Sequence, residues 1–115
     1  MSDLKIKIAN REIPVEWENR SVVAAIMNKL SAVKKIPLKK DGMRQVGNLG
    51  ISAPRNDRNM LTKAGDIVLQ SDGFAIFMGE SDVSATKLGH IKGYSETQIK
   101  NLLAPGSLMM ELHEG

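Results

Sequence analysis

The feature that most constrains this chain is a period of two in its apolar residues, repeated in short runs cut apart by turn residues. Leu4, Ile6 and Ile8 alternate with Lys5 and Lys7. Ile13, Val15 and Trp17 alternate with Glu12, Glu16 and Glu18, with Pro14 as the odd member. Near the other end Leu108, Met110 and Leu112 alternate with Met109, Glu111 and His113. Alternation sends successive side chains to opposite faces, so each run reads as a half-buried strand. Asn10-Arg11 suits a tight hairpin between the first two runs, because Asn tolerates positive φ. Their lysines and glutamates then face each other across the strands, a favourable pairing. Pro14 has no N–H to give a ladder, which predicts an edge or a bulge there.

The middle of the chain holds further short runs. Ile36-Pro37-Leu38 is weakly strand-like, and Asp41-Gly42 is a turn. The stretch 46–51 carries two glycines and defines no element. Ala64-Gly65-Asp66 turns into Ile67-Val68-Leu69, and Ser71-Asp72-Gly73 is another turn. Phe74-Ala75-Ile76-Phe77-Met78 is apolar without a break, as expected of a strand buried on both faces. Leu88-Gly89-His90-Ile91-Lys92 is a further short strand. The one clear helix is capped by Ser21 and carries the stripe Val22, Val23, Ile26, Met27, Leu30 and Val33. Lys34 and Lys35 fall at its end, where cations suit the dipole, and Pro37 stops it. Ser95, Glu96, Ile99, Leu102 and Leu103 predict a second, short helix before Pro105. About eight strands and one or two helices in 115 residues predict a mainly β, single-domain protein over 1–115, a small barrel or sandwich with a helix as plug or cover.

Composition narrows the function classes. With 42% apolar residues the chain can build a core, so disorder is not its main state. It has no cysteine, which excludes disulfides, thiolate metal sites and cysteine nucleophiles. Two histidines, His90 and His113, leave little for a histidine metal site. Glu80 and Asp82 alone make a weak cation site. No apolar run approaches the ~18 residues of a membrane span, and the first residues lack a signal peptide's apolar stretch. A cytoplasmic protein, monomeric or dimeric, needing neither membrane, metal nor cofactor, is the expectation.

Charge is uneven. Segment 29–63 holds nine basic and two acidic residues, a net +7, and the remainder is net −4. Such polarity steers anionic partners. Lysines also keep exposed strands soluble, and no aromatics interleave here for base stacking, which argues against nucleic acid.

The most informative stretch is Pro54-Arg55-Asn56-Asp57-Arg58. Proline fixes its own φ and extends Ala53. Asn56 and Asp57 can bond local amides. Each arginine is a planar fork suited to carboxylate or phosphate. Two readings stand: Arg55 faces a groove and binds an anionic or carbonyl group, or Asp57 pairs with an arginine and holds the loop.

Four blocks carry a resemblance. Leu49-Gly50-Ile51-Ser52-Ala53-Pro54-Arg55-Asn56-Asp57-Arg58, Ala64-Gly65-Asp66-Ile67-Val68-Leu69, Phe74-Ala75-Ile76-Phe77-Met78-Gly79 and Ala85-Thr86-Lys87-Leu88-Gly89-His90-Ile91 are similar, in order and spacing, to the bacterial cyclophilin-like domain family. The similarity runs over about residues 5–91. It implies a closed, roughly eight-stranded barrel with helices over its ends, and no assigned biochemical activity. The chain departs from the family where relatives carry a tryptophan and a tyrosine, with Val83 and Ala85, and where they carry an arginine, with Lys87. Loss of two large aromatics implies a wider or altered pocket. The Phe-His-Arg and Gln-Gly-Gly-Asp type motifs of prolyl isomerases are absent. No catalytic residue is assigned. The expectation is a binding domain for a small molecule or extended peptide beside the 54–57 loop, with Arg55, Asn56, Phe77, Thr86 and His90 as contact residues. The alternatives are a weak prolyl isomerase, with Phe74 or Phe77 as floor, and an anion or nucleic-acid binder using the basic segment. For 74–78 plain core is the competing reading, and for His90 a satisfied structural role.

Overall fold

The computed structural model describes residues 3–30, 32–71 and 73–115. Asp72, one of the residues of a predicted turn, lies outside them. The chain runs β1 (Leu4–Ile8), β2 (Arg11–Ile13), β3 (Val15–Trp17), α1 (Arg20–Lys29), β4 (Lys34–Asp41), β5 (Arg44–Gly47), β6 (Arg58–Leu61), β7 (Asp66–Gln70), β8 (Gly73–Phe77), β9 (Asp82–Ile91), α2 (Glu96–Leu102) and β10 (Ser107–Glu114). The strands pair antiparallel in the order β2-β1-β10-β4-β5-β8-β7-β9-β3, and β6 adds to β9. β2 and β3 stand at the two ends of that path, yet only Pro14 separates them in sequence. The sheet therefore curls until its ends meet in one extended segment. With β2 and β3 counted as one stave and β6 set aside, the barrel has the eight strands the sequence predicts.

Pro14 marks the closing seam. It interrupts the ladder, so the segment pairs with β1 before it and with β9 after it. The proline carbonyl still accepts from the Lys92 amide at 3.0 Å. Across the gap the Trp17 indole N–H donates to the Leu4 carbonyl at 2.8 Å, tying β3 to β1. Gly89 permits the close approach of β3 to β9, since a Cβ there would lie 2.2 Å from the Glu16 carbonyl oxygen. The β1–β2 turn holds Ala9 and Asn10 at φ 52° and 64°, the mirror-image turn that matches strand twist. Register sets Lys7 opposite Glu12, and Lys5, diagonal to it on the same face, reaches Glu12 at 3.6 Å, a lysine–glutamate pairing of the kind the alternation predicts.

The interior is one cluster that includes Ile6, Ile8, Ile36, Leu38, Ile67, Phe74, Ile76, Leu88, Met110 and Leu112, all essentially sealed. α1 adds Val22, Val23 and Ile26 to it, and α2 adds Ile99. The side chain of Gln45, fully buried, donates to the carbonyls of Leu103 and Pro105 and so pins the α2 corner to β5. No helix among the described residues is long and apolar enough to cross a membrane.

Three local expectations are corrected. α1 is capped by Asn19, whose Oδ1 accepts from the Val22 amide, and not by Ser21. The Glu18 and Asn19 amides both bond the Leu88 carbonyl, at 2.8 and 3.0 Å, so tertiary contact sets the helix start. The helix ends at Lys29; Val33 is 54% exposed, and Lys34 and Lys35 open β4. Pairing of β4 with β10 outweighs helical spacing there. Pro37 sits inside β4, where β5 has not yet begun to pair, so its missing N–H costs no ladder bond on that side.

Candidate functional site

After β5 the chain leaves the barrel wall and crosses its end as a strap before joining β9 as β6. Three features pin the strap. Leu49, Ile51 and Ala53 pack on the main core, an alternation present in the sequence of 49–53 and hidden by the glycines at 47 and 50. Gly50 turns at φ +70° while its amide donates to the Asn48 side chain at 2.8 Å. Lys29, in the last turn of α1, donates to the Ser52 carbonyl.

The next turn of the strap is organised by Thr86 of β9, which is buried. The Asn56 amide donates to Thr86 Oγ1 at 2.8 Å, and the Thr86 hydroxyl donates to Asp57 Oδ1 at 2.7 Å. The same Asp57 oxygen lies 3.6 Å from Arg55 Nε. Thr86 and Asp57 are thus positioning residues. Asp57 forms an ion pair on the Nε side of the guanidinium, whose two terminal nitrogens have no partner among the described residues. Of the two sequence readings, the structure shows the contacts of the second: Asp57 bonds Thr86 and pairs with Arg55. Arg55, with a side chain 39% exposed, stands on the wall of a cleft of about 460 Å³ bounded by 48–53 and by Leu69, Gln70 and Ser71.

The predicted residues do not share one groove. Asn56 and Thr86 line a second cavity of about 340 Å³ between the strap, β6 and β9. Phe77 is 1% exposed and cannot form an open apolar wall beside Arg55. It belongs to a second apolar cluster with Val68, Ala75 and Ala85, flanked by Val46, Met60 and Val83. Register places Val46, Ala75 and Val68 side by side on the outer face, back to back with Ile67, Ile76 and Phe74 inside. β8 is thus buried on both faces, as its unbroken apolar run predicts. Arg44 reaches Gln70 at 2.5 Å and Asp41 at 2.8 Å over this cluster. Phe74 is fully buried as well, and Phe77 borders a different cavity of about 450 Å³ with Met43, Arg44 and Val83, so neither phenylalanine lines the Arg55 cleft.

His90 lies on the seam, away from both cavities. Its Nδ1 is 2.8 Å from Glu18 and its Nε2 3.2 Å from Glu16. Lys87 joins Glu18 at 3.1 Å and Asp66 at 3.6 Å. The hydrogen bond from His90 is the main reason the Glu18 carboxyl is held below its ordinary value, with Lys87 adding to it and burial opposing. These groups lock β3, β7 and β9 together. Among the described residues no three His, Asp or Glu side chains gather to hold a metal ion. Val83 and Ala85 both belong to the outer cluster, Val83 at its edge; Ala85 lines the 340 Å³ cavity. The basic segment also separates in space. Its exposed lysines Lys35, Lys39 and Lys40 are on β4, whereas Arg58 is on β6, with β5, β8, β7 and β9 between them.

Comparison with known proteins agrees with this architecture. A comparison with curated proteins found no match. Among solved structures, the hypothetical protein AF2241 from Archaeoglobus fulgidus superposes with a TM-score of 0.65 at 15% identity, over 98% of this chain and 93% of that one. That likeness speaks to the fold alone. The model of the cyclophilin-like family matches residues 6–112, and with the barrel closed through Pro14 the chain belongs to the cyclophilin-like family.

Proposed function

We propose that the protein is a binding domain without catalytic machinery, and that it holds a small molecule or an extended peptide in the Arg55 cleft. One observation carries the reading: a guanidinium paired with Asp57 on its Nε side, with terminal nitrogens that have no partner among the described residues, on the wall of a cleft of about 460 Å³. Its planar fork suits a carboxylate or carbonyl. The cleft's size is in the range of small-ligand sites. Its walls contribute loop backbone, which suits a ligand that itself presents amides. Prolyl isomerisation draws no support from the site, because Phe74 and Phe77 are sealed in apolar clusters.

An N-succinylated, proline-containing tetrapeptide anilide tests the reading, since it offers both a carboxylate and an extended backbone. Titration followed by amide chemical shifts should move signals of 48–55 and 69–71. Arg55→Ala should remove those shifts without changing the melting temperature, and an unchanged titration would discard Arg55 as anchor. In a protease-coupled assay the same peptide should isomerise at the uncatalysed rate.

A further inference from the structure

The second cavity, between β6 and β9, has its own chemistry and shares no wall with the Arg55 cleft. Met60 and Ala85 give it an apolar floor, and Ala85 leaves the room because its side chain stops at Cβ. Arg58, Asn56 and Asn59 stand around the mouth. None of these three side chains has a hydrogen bond or ion pair among the described residues; Asn56 uses only its backbone amide, on Thr86. Lys87 also borders the cavity, but Glu18 and Asp66 already neutralise it. No carboxylate lines the space.

The geometry points to a second binding site here, for a small carboxylic acid with a flat, apolar body such as an aromatic or heteroaromatic acid. One uncommitted guanidinium matches one negative charge, and its fork matches the two oxygens of a carboxylate. A phosphate would need more uncommitted donors of charge than the cavity has. The floor suits a ring: Met60 is a polarisable, adaptable surface for an aromatic face. The two carboxamides can donate to or accept from heteroatoms on the ring edge. A volume of about 340 Å³ accommodates one or two rings.

Benzoate is the probe, with benzyl alcohol as its uncharged partner and cyclohexanecarboxylate as its non-planar one. Added to labelled protein up to about 10 mM, benzoate should shift the amides of Asn59, Met60 and Ala85, in keeping with a millimolar site of few contacts. Benzyl alcohol and cyclohexanecarboxylate should each bind more weakly. Arg58 is exposed, so Arg58→Ala leaves the fold intact; it should weaken benzoate by about tenfold or more, with Arg58→Lys between it and the parent. Arg55→Ala should leave benzoate binding unchanged, which separates this site from the cleft proposed above. Absence of shifts with benzoate, equal binding by Arg58→Ala, or loss on Arg55→Ala would each overturn the assignment.

Discussion

The barrel has two unlike arcs. On the β1-β10-β4 side the outer face is solvated: Lys5, Lys7, Glu111, Lys35 and Lys39 point out, and the strands alternate strictly. On the β8-β7-β9 side the outer face carries Val68, Ala75 and Phe77, buried as deeply as the interior. The difference lies in what covers each arc. β6 folds back only over the second, with Met60 against its outer cluster, while the strap crosses the end of the barrel; the two candidate cavities open beside the strap and β6. A barrel wall facing water on one side is a scaffold; beside the wall covered on its outer face by β6, side chains such as Arg55 and Arg58 stand at a hollow.

Three measurements break or sharpen that contrast. The largest effect is expected at Phe77. If the outer cluster is true core, Phe77→Ala destabilises by about 3–5 kcal/mol in denaturant unfolding. Met109, 50% exposed on the outer face of β10, is its counterpart on the solvated arc, and Met109→Ala should stay within about 0.5 kcal/mol. Similar small losses at both positions would erase the distinction between the arcs.

A smaller effect is expected where the strap is fastened. Thr86→Val keeps the shape but removes the acceptor of the Asn56 amide and the donor to Asp57. The cost should be about 1–3 kcal/mol, that of leaving buried polar groups unpaired. Hydrogen exchange should quicken at Asn56 while the β1-β10-β4 amides keep their protection; uniform acceleration would mean that the strap is not a separate unit.

The smallest effect lies at the seam. The Glu18 carboxyl is held below its ordinary value of 4.5, chiefly by His90. A depressed carboxyl stabilises the fold above its unfolded value, and the contribution is lost as pH falls through the folded one. Glu18 is 43% exposed, so solvent screening keeps the contribution below about 1 kcal/mol. Glu18→Gln should lower the melting temperature slightly at neutral pH and flatten its decline below pH 4.5. A variant that declines in acid as steeply as the parent would remove Glu18 from the seam.

Much of the barrel is legible in the sequence because alternation records, residue by residue, which side chains leave water. β1, β10 and the doubly buried β8 follow directly. Legibility fails where a partner distant in sequence decides. The 49–53 stretch hides its Leu49, Ile51 and Ala53 pattern beside glycines, and β6 is unmarked in the sequence because only pairing with β9 makes it a strand. At the site, the 54–57 segment announces itself through Pro54 and its flanking arginines. Nothing local tells that Thr86 fastens it or that His90 serves the seam.

The sequence by itself determined the period of the strands, the positions of the core and the choice of a barrel-sized β domain, since burial of apolar surface writes its pattern locally. Only the tertiary structure decided that Pro14 is the closing point, that one arc is covered twice, and that Arg55 and Arg58 face different hollows. Those outcomes depend on pairings such as Trp17 with Leu4 and Thr86 with Asp57. A side chain's own neighbours in the chain carry no record of which distant backbone or hydroxyl group will satisfy it.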